Sequence, residues 1–158
     1  MKFKFKIQKF QTEAADSVVK VFSGQRNQGL SRYRHDTGVQ KGQITVYEQM
    51  EDYETGYSNS EVELSKKELL ENIRKVQIMN NINLSTSLVD GLGVVSLDVE
   101  METGTGKTYV YIKTMFELYK TYGWSKYIVV APSIAIRGGV KKSFEMTQDH
   151  FMELYGLK

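Results

Sequence analysis

The chain has 158 residues, 41% hydrophobic and 25% charged, a balance that excludes disordered and fibrous classes and allows a single hydrophobic core. Its 21 Lys and Arg against 19 Asp and Glu leave a net charge of +2, which excludes nucleic-acid binding by an overall positive field; any anion site has to be local. With no Cys, disulfide frameworks, thiolate zinc sites and thiol nucleophiles are excluded too, and a reducing, cytoplasmic setting is expected.

Lys2, Lys4 and Lys6 alternate with Phe3, Phe5 and Ile7. This period of two predicts an N-terminal strand with its lysine face in solvent, and the broken apolar pattern suits neither a signal peptide nor a membrane span. Ala14, Ala15, Val18 and Phe22 then recur at helical spacing and predict a helix over 12–22, stopped near Gly24. From 23 to 60 the chain is polar and dotted with glycines. Arg32, Arg34 and Lys41 come early, Glu48, Glu51, Asp52 and Glu54 late, and only 44–47 is strand-like, so this stretch reads as an insertion.

A short strand is expected over 61–64. Ser65 with Glu68 three residues on forms a capping box, opening a helix whose buried stripe is Leu69, Leu70, Ile73 and Val76 and whose end is Asn80 and Asn81. A linker through Asp90, Gly91 and Gly93 leads to VVSLDVEM over 94–101, mostly β-formers. A glycine-rich turn, a helix over 107–122 stopped by Gly123, and a second apolar run over 127–131 ended by Pro132 complete the pattern. Strand, turn, helix and strand compose a βαβ unit with parallel strands and a right-handed crossover, so the expected fold class is α/β. The expected organisation is one domain: a strand and helix over 1–22, the insertion over 23–60, and the helix and βαβ unit over 61–158.

The chemistry-bearing residues sit at the turns. METGTGKT over 101–108 lies between the expected strand and helix. Its glycines let the backbone fold round an anion, and the helix start adds roughly half a positive charge. Thr103, Gly104, Thr105 and Gly106 are the candidate cradle, Lys107 the candidate contact to β and γ phosphates, and the Thr108 hydroxyl the candidate Mg²⁺ ligand. The full phosphate-loop pattern asks for Gly where this chain has Met101. Pro132, Ser133 and Arg137 leave the second strand on the edge where ligands bind in open α/β sheets, and they suit a nucleic-acid backbone. Phe10 offers a face for stacking, and the Gln11 amide can meet the donor and acceptor edge of adenine. His35 and His150 read as surface residues, the carboxylates at 48, 51, 52 and 54 as a solvated acidic loop, and Tyr47, Tyr53 and Tyr57 as packing for the insertion.

Together, Phe10 and Gln11 before a helix, ENIRKVQ over 71–77, METGTGKTYVYIK over 101–113 and YIVVAPSIAIRGG over 127–139 resemble the start of the restriction (Res) subunit of type III restriction-modification enzymes, within superfamily 2 of helicases and translocases. The resemblance runs from Phe10 to about Phe151. It implies an incomplete RecA-like domain, ATP held through Gln11, Lys107 and Thr108 with Mg²⁺, and DNA backbone contact from Pro132 to Arg137. Gly138 and Gly139 stand where Glu and Gly are expected. It further implies double-stranded DNA and a modification (methyltransferase) subunit as partners, with no membrane.

No Asp-Glu pair, second motor domain or nuclease cluster follows the second apolar run. The chain is therefore expected to be a truncated or interrupted subunit that binds nucleotide and hydrolyses little or none. Two parallel strands cannot bury a sheet on both faces, so self-association with a second copy is expected. The competing readings are a nucleotide-binding module or a non-catalytic remnant, both without motor function.

Overall fold

Side-chain capping decides where the chain turns helical after Ser65. The Ser65 hydroxyl accepts from the Glu68 amide at 3.3 Å while the Glu68 carboxylate accepts from the Ser65 amide at 2.8 Å, so the expected capping box opens a helix. The computed structural model describes residues 5–27, 59–89, 91 and 93–156. Among these, four helices account for the regular structure: α1, Lys9–Val21; α2, Lys66–Met79; α3, Lys107–Tyr122; and α4, Ile134–Tyr155.

α3 is the central element. On one side, Leu118 and Tyr122 pack with Val21, Phe22, Leu69 and Trp124 into a core shared with α1 and α2. On the other, Tyr109 and Ile112 pack with Phe151 of α4, flanked by Phe5, Tyr111, Phe116 and Tyr155. Ala15 is fully buried, a small side chain where α1 approaches its neighbours. The buried Asn72 amide donates to the carbonyls of Val21 and Ser23 at 3.1 and 2.9 Å, and the Tyr122 hydroxyl donates to Val19 at 2.9 Å. Orphan carbonyls at the end of α1 are thereby satisfied from two other helices.

The expected parallel βαβ unit, and with it the α/β class and the RecA-like sheet, is not observed. No strand is formed among the described residues. The run 94–101 lays Val95 and Leu97 on the helical core and leaves Val94 and Val99 exposed. In the run 127–131, Ile128 is 93% and Val130 86% exposed, the reverse of a strand buried on both faces. Strand propensity measures fit to neighbours on a pleated surface, and backbone amides need ladder partners; β-forming composition supplies neither. With no sheet here, the ground for expecting a covering second copy also falls away.

Other boundaries shift for local reasons. Residues 5–8 form no strand, and α1 starts at Lys9 because the Thr12 amide already donates to the Gln8 carbonyl at 3.2 Å. Phe10 and Gln11 therefore belong to the first turn of α1. Residues 61–64 meet a side chain in place of a strand: Gln25 accepts from the Glu63 amide at 2.9 Å and donates to the Glu61 carbonyl at 3.2 Å. α4 was not expected, although Ser133 caps it and Val140, Phe144, Thr147, Phe151 and Tyr155 recur at helical spacing before Gly156. The strand-like 44–47, His35 and the acidic and tyrosine positions of the insertion lie outside the described residues.

The insertion is fastened on both sides. Asn27 donates to the Lys120 carbonyl at 3.4 Å. Asn59 accepts from the Ser125 and Lys126 amides and donates to the Lys126 carbonyl, all within 2.7 to 2.9 Å. Next to it, Trp124 donates to the Ser60 hydroxyl at 2.9 Å. No helix among the described residues is long and apolar enough to cross a membrane.

Candidate functional site

The turn before α3 is built from glycines in a conformation that other residues resist. Gly104 has φ of 81° and Gly106 φ of 87°, both left-handed. Between them the Thr105 hydroxyl donates to the Glu102 carbonyl at 2.6 Å, closing the turn. Gly106 is the N-cap of α3 and brings no side chain to cap it, so the first-turn amides have no side-chain acceptor. Lys107 is exposed as the first helical residue and Thr108 is half-buried behind it. An uncapped helix start with a glycine turn before it and a lysine upon it has the chemistry that suits an anion.

Gln11 reaches this turn from α1. Its Nε2 donates to the Thr105 carbonyl at 2.9 Å across 94 residues of sequence. A Cβ on Gly106 would lie 2.6 Å from the same nitrogen, so the absence of a side chain there is what lets Gln11 approach. Phe10, next along α1, is about half exposed. Thus the structure brings Gln11 against Thr105 and Gly106, with Lys107 and Thr108 directly following.

The second group lies apart. Pro132 and Ser133 precede α4, where the Ser133 hydroxyl accepts from the Ile136 amide at 3.3 Å and its carbonyl from the Arg137 amide at 2.9 Å. Ser133 is therefore a helix cap, and Arg137 is exposed on the first turn of α4. No hydrogen bond or ion pair among the described residues joins Arg137 to the 102–108 turn.

What the sequence reading missed is the network that fastens α4 to the helix carrying the turn. His150, expected at the surface, is half-buried: its Nε2 lies 2.9 Å from the Tyr109 hydroxyl, and its ring packs on Phe5 and Phe151. Burial pushes its pKa below the ordinary value and the Lys113 charge adds to this, against Glu153, which raises it. Deeper along α3, the Lys113 ammonium donates to Glu117 at 2.9 Å and to the Tyr155 hydroxyl at 3.3 Å, and Tyr155 donates to the same Glu117 oxygen at 2.7 Å. Burial alone would raise Glu117. The hydrogen bonds from Lys113 and Tyr155, with the charges of Lys113 and Lys120, outweigh it and hold the carboxylate below its usual range. Burial and the neighbouring carboxylate push Tyr155 strongly up, so it stays a neutral donor. The i, i+4 spacing of Lys113 and Glu117 was a readable signal.

The family model for the type III restriction enzyme Res subunit matches residues 4–155 of this chain. The chain belongs to that family. Among curated Res proteins it is 38% identical over 99 residues to the EcoPI Res subunit of Escherichia phage P1, covering 61% of this chain and 10% of that protein. The EcoP15I Res subunit of Escherichia coli gives 38% over 100 residues, with 62% and 10% covered. The StyLTI Res subunit of Salmonella typhimurium gives 44% over 62 residues, with 38% and 6% covered. The chain thus spans a tenth or less of the length of these Res proteins.

Proposed function

We propose that this Res-family chain binds ATP with Mg²⁺ at the 102–108 turn, as part of a helicase-type motor of a type III restriction enzyme. The supporting observation is the 2.9 Å bond from Gln11 to Thr105, which seats a side chain able to read adenine beside a turn able to hold phosphate. In this reading Thr103, Gly104, Thr105 and Gly106 surround the phosphates with backbone, Lys107 adds a point charge, and Phe10 lies against the base. Gln11 spends one amide hydrogen on Thr105 and keeps its oxygen and second hydrogen for the base.

The residues fit the cofactor. The α3 amides carry no side-chain cap, and both loop glycines hold positive φ. Mg²⁺ would take the Thr108 hydroxyl as its protein ligand and would neutralise phosphate charge. Among the described residues no group of three His, Asp or Glu could hold a metal ion, so the metal depends on the nucleotide oxygens. Residues 1–22 and 61–158 form the unit that carries the site, with 23–60 as an insertion. Ser133 and Arg137 approach the backbone of double-stranded DNA, and a modification subunit supplies the recognition of the DNA site.

The test is titration of the 158-residue chain with a fluorescent ATP analogue and Mg²⁺, with GTP as competitor. Lys107→Ala is expected to weaken binding at least about tenfold, equivalent to about 1.4 kcal/mol. Gln11→Ala is expected to remove the preference for adenine. No binding by the wild-type chain overturns the proposal.

A further inference from the structure

The first three turns of α4 break local rules with no compensating contact among the described residues. Gly138 and Gly139 sit in the interior of a 22-residue helix, where glycine weakens helical structure, yet a Cβ at either would meet nothing within 4 Å. Arg137 stands on the first turn, at the positive end of the helix dipole, and Lys141 and Lys142 follow by the third, while Glu145, Asp149 and Glu153 occupy the other half. None of the three cations joins an ion pair among the described residues, and all three are exposed. Rules broken together without an internal gain mark a surface shaped for something outside the chain.

Helical geometry says what that surface is. At about 100° per residue, Arg137, Lys141 and Lys142 fall within an arc of about 140°. Gly138 sits near the middle of that arc, on the side of α4 opposite the buried Thr147 and Phe151. The result is a dent with cations on both sides and exposed Ile134 one turn before it. No carboxylate enters this face before Glu145. We propose that this face holds a DNA strand, with Lys141 and Lys142 pairing with phosphates beyond those reached by Ser133 and Arg137, and Gly138 admitting the sugar-phosphate chain close to the helix. The inference rests on the DNA reading above and adds residues that reading does not use. Charge complementarity decides the occupant: phosphodiesters present regularly spaced negative charge, and contacts to them fix position without reading sequence.

The experiment is fluorescence anisotropy of the 158-residue chain with a labelled DNA duplex across a salt series. The double variant Lys141→Gln, Lys142→Gln is expected to weaken binding at low salt at least about tenfold and to lower the slope of log affinity against log salt by about 2. Gly138→Leu is expected to weaken DNA binding while helicity by circular dichroism and the thermal midpoint hold or rise, because leucine is the better helix former. A merely structural role for Gly138 would link the two losses. Wild-type affinity in both variants, with Arg137→Gln still weakened, overturns this inference and leaves the DNA reading standing. No binding by the wild-type chain even at the lowest salt overturns both.

Discussion

The amide of Gln11 and the carbonyl of Thr105 are joined by a 2.9 Å hydrogen bond that ties the first turn of α1 to the turn opening α3. Neither residue belongs to the other's local structure, so the bond sets the position of one element against the other. Its closeness depends on Gly106, where any side chain would begin 2.6 Å from the Gln11 nitrogen.

Gly106→Ala is therefore expected to act twice. The left-handed backbone resists a Cβ by about 1 to 2 kcal/mol, and the new methyl also pushes Gln11 off Thr105, adding about 1 kcal/mol. Gly104→Ala meets open space and carries the backbone strain alone. Chemical denaturation of both variants, with and without Gln11→Ala, checks this: in the Gln11→Ala background the excess of Gly106→Ala over Gly104→Ala should vanish. An excess that persists there would mean that Gln11 is not what the methyl displaces.

The pair Lys113 and Glu117 should respond unequally to loss of either partner. Lys113 has 6% of its side chain exposed and Glu117 21%, so a stranded ammonium is shut off from water more fully than a stranded carboxylate. Glu117→Ala is expected to destabilise by about 3 kcal/mol, the cost of leaving a buried charge uncompensated. Lys113→Met keeps the apolar stem and should cost less, about 1 kcal/mol. Urea midpoints of the two variants decide it, and equal losses would contradict the burial argument.

Tyr155 donates to that same carboxylate oxygen at 2.7 Å and stacks on Phe116 with ring centres 5.0 Å apart. Tyr155→Phe keeps the ring and removes the hydroxyl, so the stability lost should be about 1.5 to 3 kcal/mol, that of a hydrogen bond to a charged group. Thermal unfolding of Tyr155→Phe beside Tyr155→Ala separates the hydroxyl from the ring. The alanine variant should lose about 3 kcal/mol or more.

His150 gives α4 a dependence on acid. Its folded pKa is lowered by burial, with Lys113 adding to the effect and Glu153 opposing it; the Tyr109 hydroxyl and the Phe5 ring face it from α3 and the N-terminal segment. A group depressed in the folded state contributes stability that is full above its unfolded pKa, near 6.5, and is lost as pH falls through the folded value. Thermal midpoints should therefore drop as pH falls below about 6.5, and His150→Gln should flatten that part of the profile. An unchanged slope in His150→Gln would assign the loss to other groups.

Much of the candidate site was legible in the sequence because its signals are local. The glycine pattern before Lys107, the Ser65 and Glu68 box and the stop at Gly123 each depend on a few neighbouring residues, and each stands in the structure. Sheet formation depends on partners elsewhere in the chain, and the runs 94–101 and 127–131 carry β-forming composition without them. α4 escaped notice for a different reason: Gly138 and Gly139 interrupt a helical pattern whose anchors, Thr147 and Phe151, lie well downstream. His150 read as a surface residue because nothing beside it in sequence announces Tyr109, 41 positions away.

The two asparagines that fasten the insertion define a graft point. Asn27 and Asn59 both grip backbone at or just beyond the far end of α3, whose 16 residues put about 24 Å between that end and the glycine turn. Because Asn27 and Asn59 are both held there, exchanging the residues between them is expected not to pull on Gln11 or Thr105. Evolution, or a protein engineer, is thus expected to be able to rewrite some thirty residues in the middle of this chain while the glycine turn at the other end of the helix keeps its geometry.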